Sequence, residues 1–110
     1  MHEGHRERMR AQLRQSGMDS LSDVQVLEVL LYHAFARQDT NLLAHALIAR
    51  FGSLAGVFEA PVSELVKVPG IGSGAAELIA LVPQIERRHL ISRARTESIL
   101  TSTAQCGQYL

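Results

Sequence analysis

A chain of 110 residues with 46% hydrophobic content has room for one small domain and one modest core. Five Phe and Tyr residues and no Trp leave a core of Leu, Ile, Val and Ala, and argue against the aromatic base-stacking platforms of single-strand-binding proteins. Eleven Lys and Arg balance eleven Asp and Glu, the single cysteine Cys106 excludes an internal disulfide, and no apolar run approaches the length of a membrane span. With an amino terminus unlike a signal peptide, the chain reads as cytoplasmic.

The apolar periodicity is helical throughout, so the expected class is all-α. A first helix near residues 3 to 16 carries Arg6, Arg8, Arg10 and Arg14 and stops at Gly17. Ser22-Asp23-Val24-Gln25 is a capping-box pattern that announces a second helix through Val26, Leu27, Leu30, Leu31 and Ala34. That helix is apolar over much of its circumference and is the expected centre of the core. The polar linker 37–41 leads to a third helix, marked by Leu42, Leu43, Ala46, Leu47 and Phe51 and ended by Gly52. Ser53 opens a short helix through Leu54, Val57 and Phe58, and Pro61 suits the first turn of the next. A longer helix begins near Ser73, where Pro83 is expected to kink or restart it. Its continuation carries Arg87, Arg88, Arg93 and Arg95, and the Ser- and Thr-rich residues 96–110 read as a linker or the start of a missing element.

Charge is unevenly spread along this order. Residues 1–16 and 85–97 each carry a net charge of +2, and residues 17–84 carry −4. Basic ends that met in space would make a backbone-binding face, although arginine-rich helix ends are commonly plain solvated surface.

Leu65 to Ile79 is the most informative stretch. It places Pro69-Gly70-Ile71-Gly72-Ser73-Gly74 between two short apolar segments, with Ala75 and Ala76 small enough for close helix approach. Glycines let a backbone turn through positive φ and approach a ligand closely, and a helix start offers unpaired amides and a positive dipole end to phosphate. The arrangement resembles a helix-hairpin-helix, which grips nucleic-acid backbones without reading sequence. A Gly-x-Gly turn is also ordinary punctuation between helices, and that reading stays open. Candidate DNA-binding residues are Gly70, Ile71, Gly72, Ser73 and Gly74 through their amides, with Lys67, Arg87 and Arg88 supplying charge.

The segment Gly4-His5-Arg6-Glu7-Arg8, the helix containing Glu28-Val29-Leu30-Leu31, the linker Asp39-Thr40-Asn41, then Phe51-Gly52-Ser53-Leu54 and Pro69-Gly70-Ile71-Gly72, together resemble the amino-terminal domain of RadC-type (UPF0758) proteins over residues 4 to about 92. The hairpin half is also similar to the tandem helix-hairpin-helix domains of excision nucleases, so the amino-terminal half and the Asp-Thr-Asn linker favour RadC. The resemblance implies a small all-α domain with a RuvA domain 2-like hairpin motif, DNA binding associated with repair, and a following JAB/MPN-like metal-dependent domain. It places the domain at residues 1–95, the helix-hairpin-helix at 62–82, and a linker or the beginning of the missing domain at 96–110. Many such hairpins carry Lys or Arg where this chain has Gly74, and Glu64 and Glu77 lie nearby, so weak affinity is expected.

The His-x-His pair and acidic ligand of the second domain are absent from this sequence. His2 and His5 fall in an amino terminus expected to be mobile, and His33, His45 and His89 fall on separate helices as surface or core-edge residues. No nucleophile with a nearby base and no phosphate loop followed by Lys is present, so no catalysis and no cofactor are expected of this chain. Two roles remain: weak sequence-nonspecific binding of DNA backbone, or a protein-interaction or positioning domain for a separate metallo-hydrolase domain. No membrane partner is expected.

Overall fold

The computed structural model describes residues 2–108, with side chains described for 4–100. Among these residues every regular element is helical: α1 (His2–Ser16), a 3-10 turn (Met18–Ser20), α2 (Asp23–Leu31), α3 (Thr40–Phe51), α4 (Leu54–Glu59), α5 (Val62–Leu65) and α6 (Ser73–Gln108). Two compact units share the chain, residues 1–80 and 81–110, and α6 contributes its first turns to the one and its remainder to the other.

Local chemistry accounts for the helix ends. In the capping box the Ser22 hydroxyl accepts from the Gln25 amide at 3.2 Å while the Gln25 side chain accepts from the Ser22 amide at 2.9 Å. Asp39 Oδ1 accepts from the Asn41 amide to start α3, and the Ser53 hydroxyl accepts from the Gly56 amide to start α4. Gly17 and Gly52 follow the last residues of α1 and α3, as their positions in the sequence lead one to expect.

Two features differ from the sequence expectation, and two bear on alternatives it left open. The second helix ends at Leu31, not Ala34; Tyr32, His33 and Ala34 donate to the carbonyls three residues back in a tightened turn. Pro61 is the residue flanking α5, one position before the first turn. Helix α6 runs through Pro83 without interruption, because proline withdraws a single donor while the turns on either side keep theirs. Residues 96–108, expected as a linker or the start of a further element, are helical and continue α6. Thr96 donates its hydroxyl to the Ser92 carbonyl, the back-bond by which such residues are accommodated inside a helix.

The first unit holds two apolar clusters. The larger joins Leu27 and Leu31 of α2, Leu43, Ala44 and Leu47 of α3, Val57 of α4 and Leu65 of α5 with Val68, Ile71, Ala75, Ala76 and Ile79. The segment 65–79 is thereby fixed from both sides: the apolar residues before and after its glycines enter one core, leaving the turn between them outside. A smaller cluster of Met9, Leu21, Val29 and Tyr32 seats α1 on α2. In the second unit every residue from Gln84 to Leu100 is exposed, including Ile85, Leu90, Ile99 and Leu100.

Candidate nucleic-acid interface

The turn between α5 and α6 is shaped by a short run of backbone hydrogen bonds. The Lys67 amide donates to the Glu64 carbonyl, Val68 to Leu65 and Ile71 to Val68, each at 3.0–3.2 Å, and the Ala76 amide closes the first turn of α6 on the Gly72 carbonyl. Val68 and Ile71 are buried anchors on either side of Pro69 and Gly70.

The three glycines of the turn are not equivalent. Gly70 has φ +91°, and a Cβ there would lie 2.8 Å from Leu43 Cδ2, so both backbone conformation and packing against α3 require glycine. Gly72 and Gly74 have no positive φ, and a Cβ on either would meet nothing within 4 Å. Gly72 takes the capping position before α6, where glycine is common, and neither a positive φ nor a close neighbour demands glycine at either place. They flank Ser73 at the exposed start of α6, where the amides of Ser73, Gly74 and Ala75 precede the first intrahelical bond. The Ser73 hydroxyl makes no hydrogen bond among the described residues.

The other candidate residues take different positions. The Ile71 amide is committed to Val68 and its side chain to the core, so it anchors the turn. Lys67 is tied to Glu64, with Nζ donating to Oε2 at 2.7 Å, and Arg50 from the end of α3 approaches the same carboxylate at 3.6 Å. The Lys67 hydrogen bond and charge, with Arg50 behind them, hold the Glu64 carboxyl below the usual carboxylate range. Arg50 is absent from the sequence-derived set because its partner lies on another element and no local pattern joins them. Arg87 and Arg88 are exposed in the second unit.

A second polar constellation lies in the amino-terminal half. Glu28 is only 2% exposed. Its Oε2 accepts from Tyr32 Oη at 3.3 Å and lies 2.8 Å from His5 Nε2, and its Oε1 accepts from Asn41 Nδ2 at 3.3 Å. The backbone carbonyl of Glu28 takes the hydroxyl of buried Thr40. Arg6, 8% exposed, stacks over the Tyr32 ring and donates to the carbonyls of Ala36 and Gln38. His5 is thus part of a helix and of this network, which corrects the expectation of a mobile terminal histidine: a buried acceptor holds it in place. The residues carrying the family resemblance, His5, Arg6, Glu28, Thr40 and Asn41, are fasteners joining α1, α2 and the start of α3.

Burial, then the Glu28 charge and its hydrogen bond, push the Tyr32 hydroxyl up to about 12, against an opposing pull from Arg6 and Arg10. A proton held more tightly in the folded state stabilises the fold fully below the unfolded tyrosine value near 10, and that stabilisation is lost as pH rises toward 12. Urea unfolding across this window is expected to show a decline in stability that is diminished in Tyr32→Phe; identical pH profiles for the two proteins would contradict the network.

Among the described residues no group of three or more His, Cys, Asp or Glu side chains is placed to hold a metal ion. No helix among them is long and apolar enough to cross a membrane. The molecule falls in the class of small all-α domains in which a glycine turn is clamped between core helices. The chain belongs to the UPF0758 N-terminal family, whose model matches residues 2–81 and so spans the described first unit and the first residue of the second. This is the RadC-type family that the sequence resembles. No solved structure matches the chain.

Proposed function

We propose that this chain is a sequence-nonspecific DNA-binding module of a repair-associated RadC-like protein, acting in the cytoplasm as a helix-hairpin-helix. The amides of Gly72, Ser73 and Gly74 receive one backbone phosphate, assisted by the Ser73 hydroxyl, while Gly70 and Ile71 set the turn. The observation that carries this reading is the pair Gly72 and Gly74 at the start of α6, where no positive φ and no neighbouring atom bars a side chain and where the lack of one leaves the amides open to close approach by a ligand. The start of α6 directs its free amides and positive dipole end to the same place. Arg87 and Arg88, exposed in the second unit, are separate candidates for phosphate contact.

Zero net charge and the acid Glu64 beside the turn limit this grip to the nonspecific range, roughly 10⁻⁴ to 10⁻⁶ M at physiological salt. Titration of isotope-labelled protein with a DNA duplex is expected to move the amide resonances of Gly72, Ser73 and Gly74 first and to leave Gly17 and Gly52 in place. Shifts confined to the α1–α2 side would overturn the assignment of the grip to the hairpin.

The exposed apolar residues Ile85, Leu90, Ile99 and Leu100 favour a second reading, in which the chain positions a separate JAB/MPN-like domain or another protein and has little DNA affinity of its own. A partner that co-purifies after nuclease treatment, together with absent duplex binding, would establish that reading in place of the first.

A further inference from the structure

Three charged side chains from three successive parts of the first unit meet beside the glycine turn. Glu64 stands on α5, Lys67 in the turn, and Arg50 in the last turn of α3. Their side chains are 39%, 59% and 47% exposed, respectively. Exposed pairs of this kind contribute little to stability, so the fold does not depend on the cluster.

Its form is that of an occupied anion site. Two cations from different elements converge on the two oxygens of one carboxylate, the arrangement by which Arg and Lys also hold a phosphate. Lys67 lies three positions before Gly70 and is continuous with the turn that bears the free amides. Arg50 is additionally steadied by its own neighbour, with the guanidinium 5.9 Å from the centre of the Phe51 ring.

We propose that Arg50 and Lys67 form a second backbone-phosphate subsite beside the hairpin, and that Glu64 fills it in the free protein as an internal anion which a DNA phosphate must displace. This rests on the hairpin reading and adds to it the identity of the flanking contact and the reason the flanking charge is masked. Glu64 makes the module self-limiting: each binding event has to break the 2.7 Å contact to Lys67 and the longer one to Arg50 before two cations become available.

The test is anisotropy of a labelled mixed-sequence DNA duplex against the full chain and its variants over a range of salt. Glu64→Gln is expected to bind about three- to tenfold tighter at low salt, because no internal anion then competes with the phosphate for the two cations. Glu77→Gln removes the same charge from an exposed site on α6 that holds no cation, and is expected to change affinity by less than about twofold. Adding Arg50→Gln and Lys67→Gln to Glu64→Gln is expected to abolish the gain. Equal effects of E64Q and E77Q, or a gain that survives loss of both cations, would overturn the subsite. Loss of binding in Gly72→Glu alongside an E64Q no tighter than E77Q leaves the hairpin grip standing and refutes only this inference. Binding unaffected by Gly72→Glu refutes the hairpin grip itself, and absence of binding by all variants overturns both. Circular dichroism melts of each variant, expected to coincide with the parent, exclude misfolding as the cause of a change.

Discussion

Glu28→Ala is expected to lose about 2–4 kcal/mol of folding stability. The carboxylate is buried and takes side-chain contacts from His5, Tyr32 and Asn41, which belong to α1, the turn after α2 and the start of α3. Its removal leaves the buried Tyr32 hydroxyl and the half-buried Asn41 amide without their acceptor, and a group orphaned away from water costs about 1–3 kcal/mol. Against a total stability of about 5–15 kcal/mol for a domain of this kind, that loss takes the protein to the edge of unfolding. Glu28→Gln keeps the shape and one acceptor and is expected to lose about half as much, while Glu59→Ala, an exposed acid, is expected to stay within about 0.5 kcal/mol. Urea denaturation distinguishes them; a Glu28→Ala midpoint equal to that of Glu59→Ala would show that the network does not hold α1 to the rest.

The largest expected functional effect belongs to Gly72→Glu. A side chain at Gly72 enters open space from a backbone without positive φ, and a carboxylate beside the start of α6 suits the helix dipole, so folding is expected to be retained. The same carboxylate stands where a phosphate would sit and competes for the free amides. Duplex affinity is expected to fall by at least about tenfold, the loss of one charge-assisted contact compounded by repulsion. Gly70→Ala behaves in the opposite way: with φ +91° and Leu43 Cδ2 at 2.8 Å from the added Cβ, it is expected to lower the melting temperature first and affinity only as a consequence. The two glycines on either side of Ile71 thereby separate the structural from the functional use of the residue. Normal duplex binding by Gly72→Glu would remove the hairpin from the interface.

Much of the helical layout could be read from single residues because helix ends are local events. Ser22 with Gln25, Asp39 before Asn41, and Ser53 before Gly56 each close their own hydrogen bonds within three residues. The packing around the glycine turn was legible from spacing: Leu65 and Val68 before it and Ala75, Ala76 and Ile79 after it enter one core, Leu78 is only half-buried, and Ile71, read as an amide contact, joins the core instead.

What local pattern could not convey were the long-range polar contacts. His5 and Glu28 are 23 residues apart, and Asn41 and Glu28 are 13 apart, so nothing near any of them announces that the acid is buried with donors waiting. An acid on an apolar helix was the only signal. Arg50 and Glu64 meet in the same unannounced way, across two short helices, and their meeting changes the part that Lys67 plays. At Pro83 and over residues 96–108 composition left two alternatives open, and the helix continues through both, because a long helix tolerates one missing donor and several Ser and Thr residues.

The amino-terminal motif and the hairpin therefore do different work in one domain. The first fastens α1 by buried polar contacts, and the second projects a glycine turn from an apolar clamp. The central claim, that this turn holds DNA phosphate, is tested most directly by the salt dependence of duplex binding to the unmodified chain. Dissociation constants of about 10⁻⁴ to 10⁻⁶ M at physiological salt, tightening steadily as salt is lowered, are the result expected of a backbone grip. Absence of binding at high micromolar protein in low salt, or an affinity indifferent to salt, would contradict it.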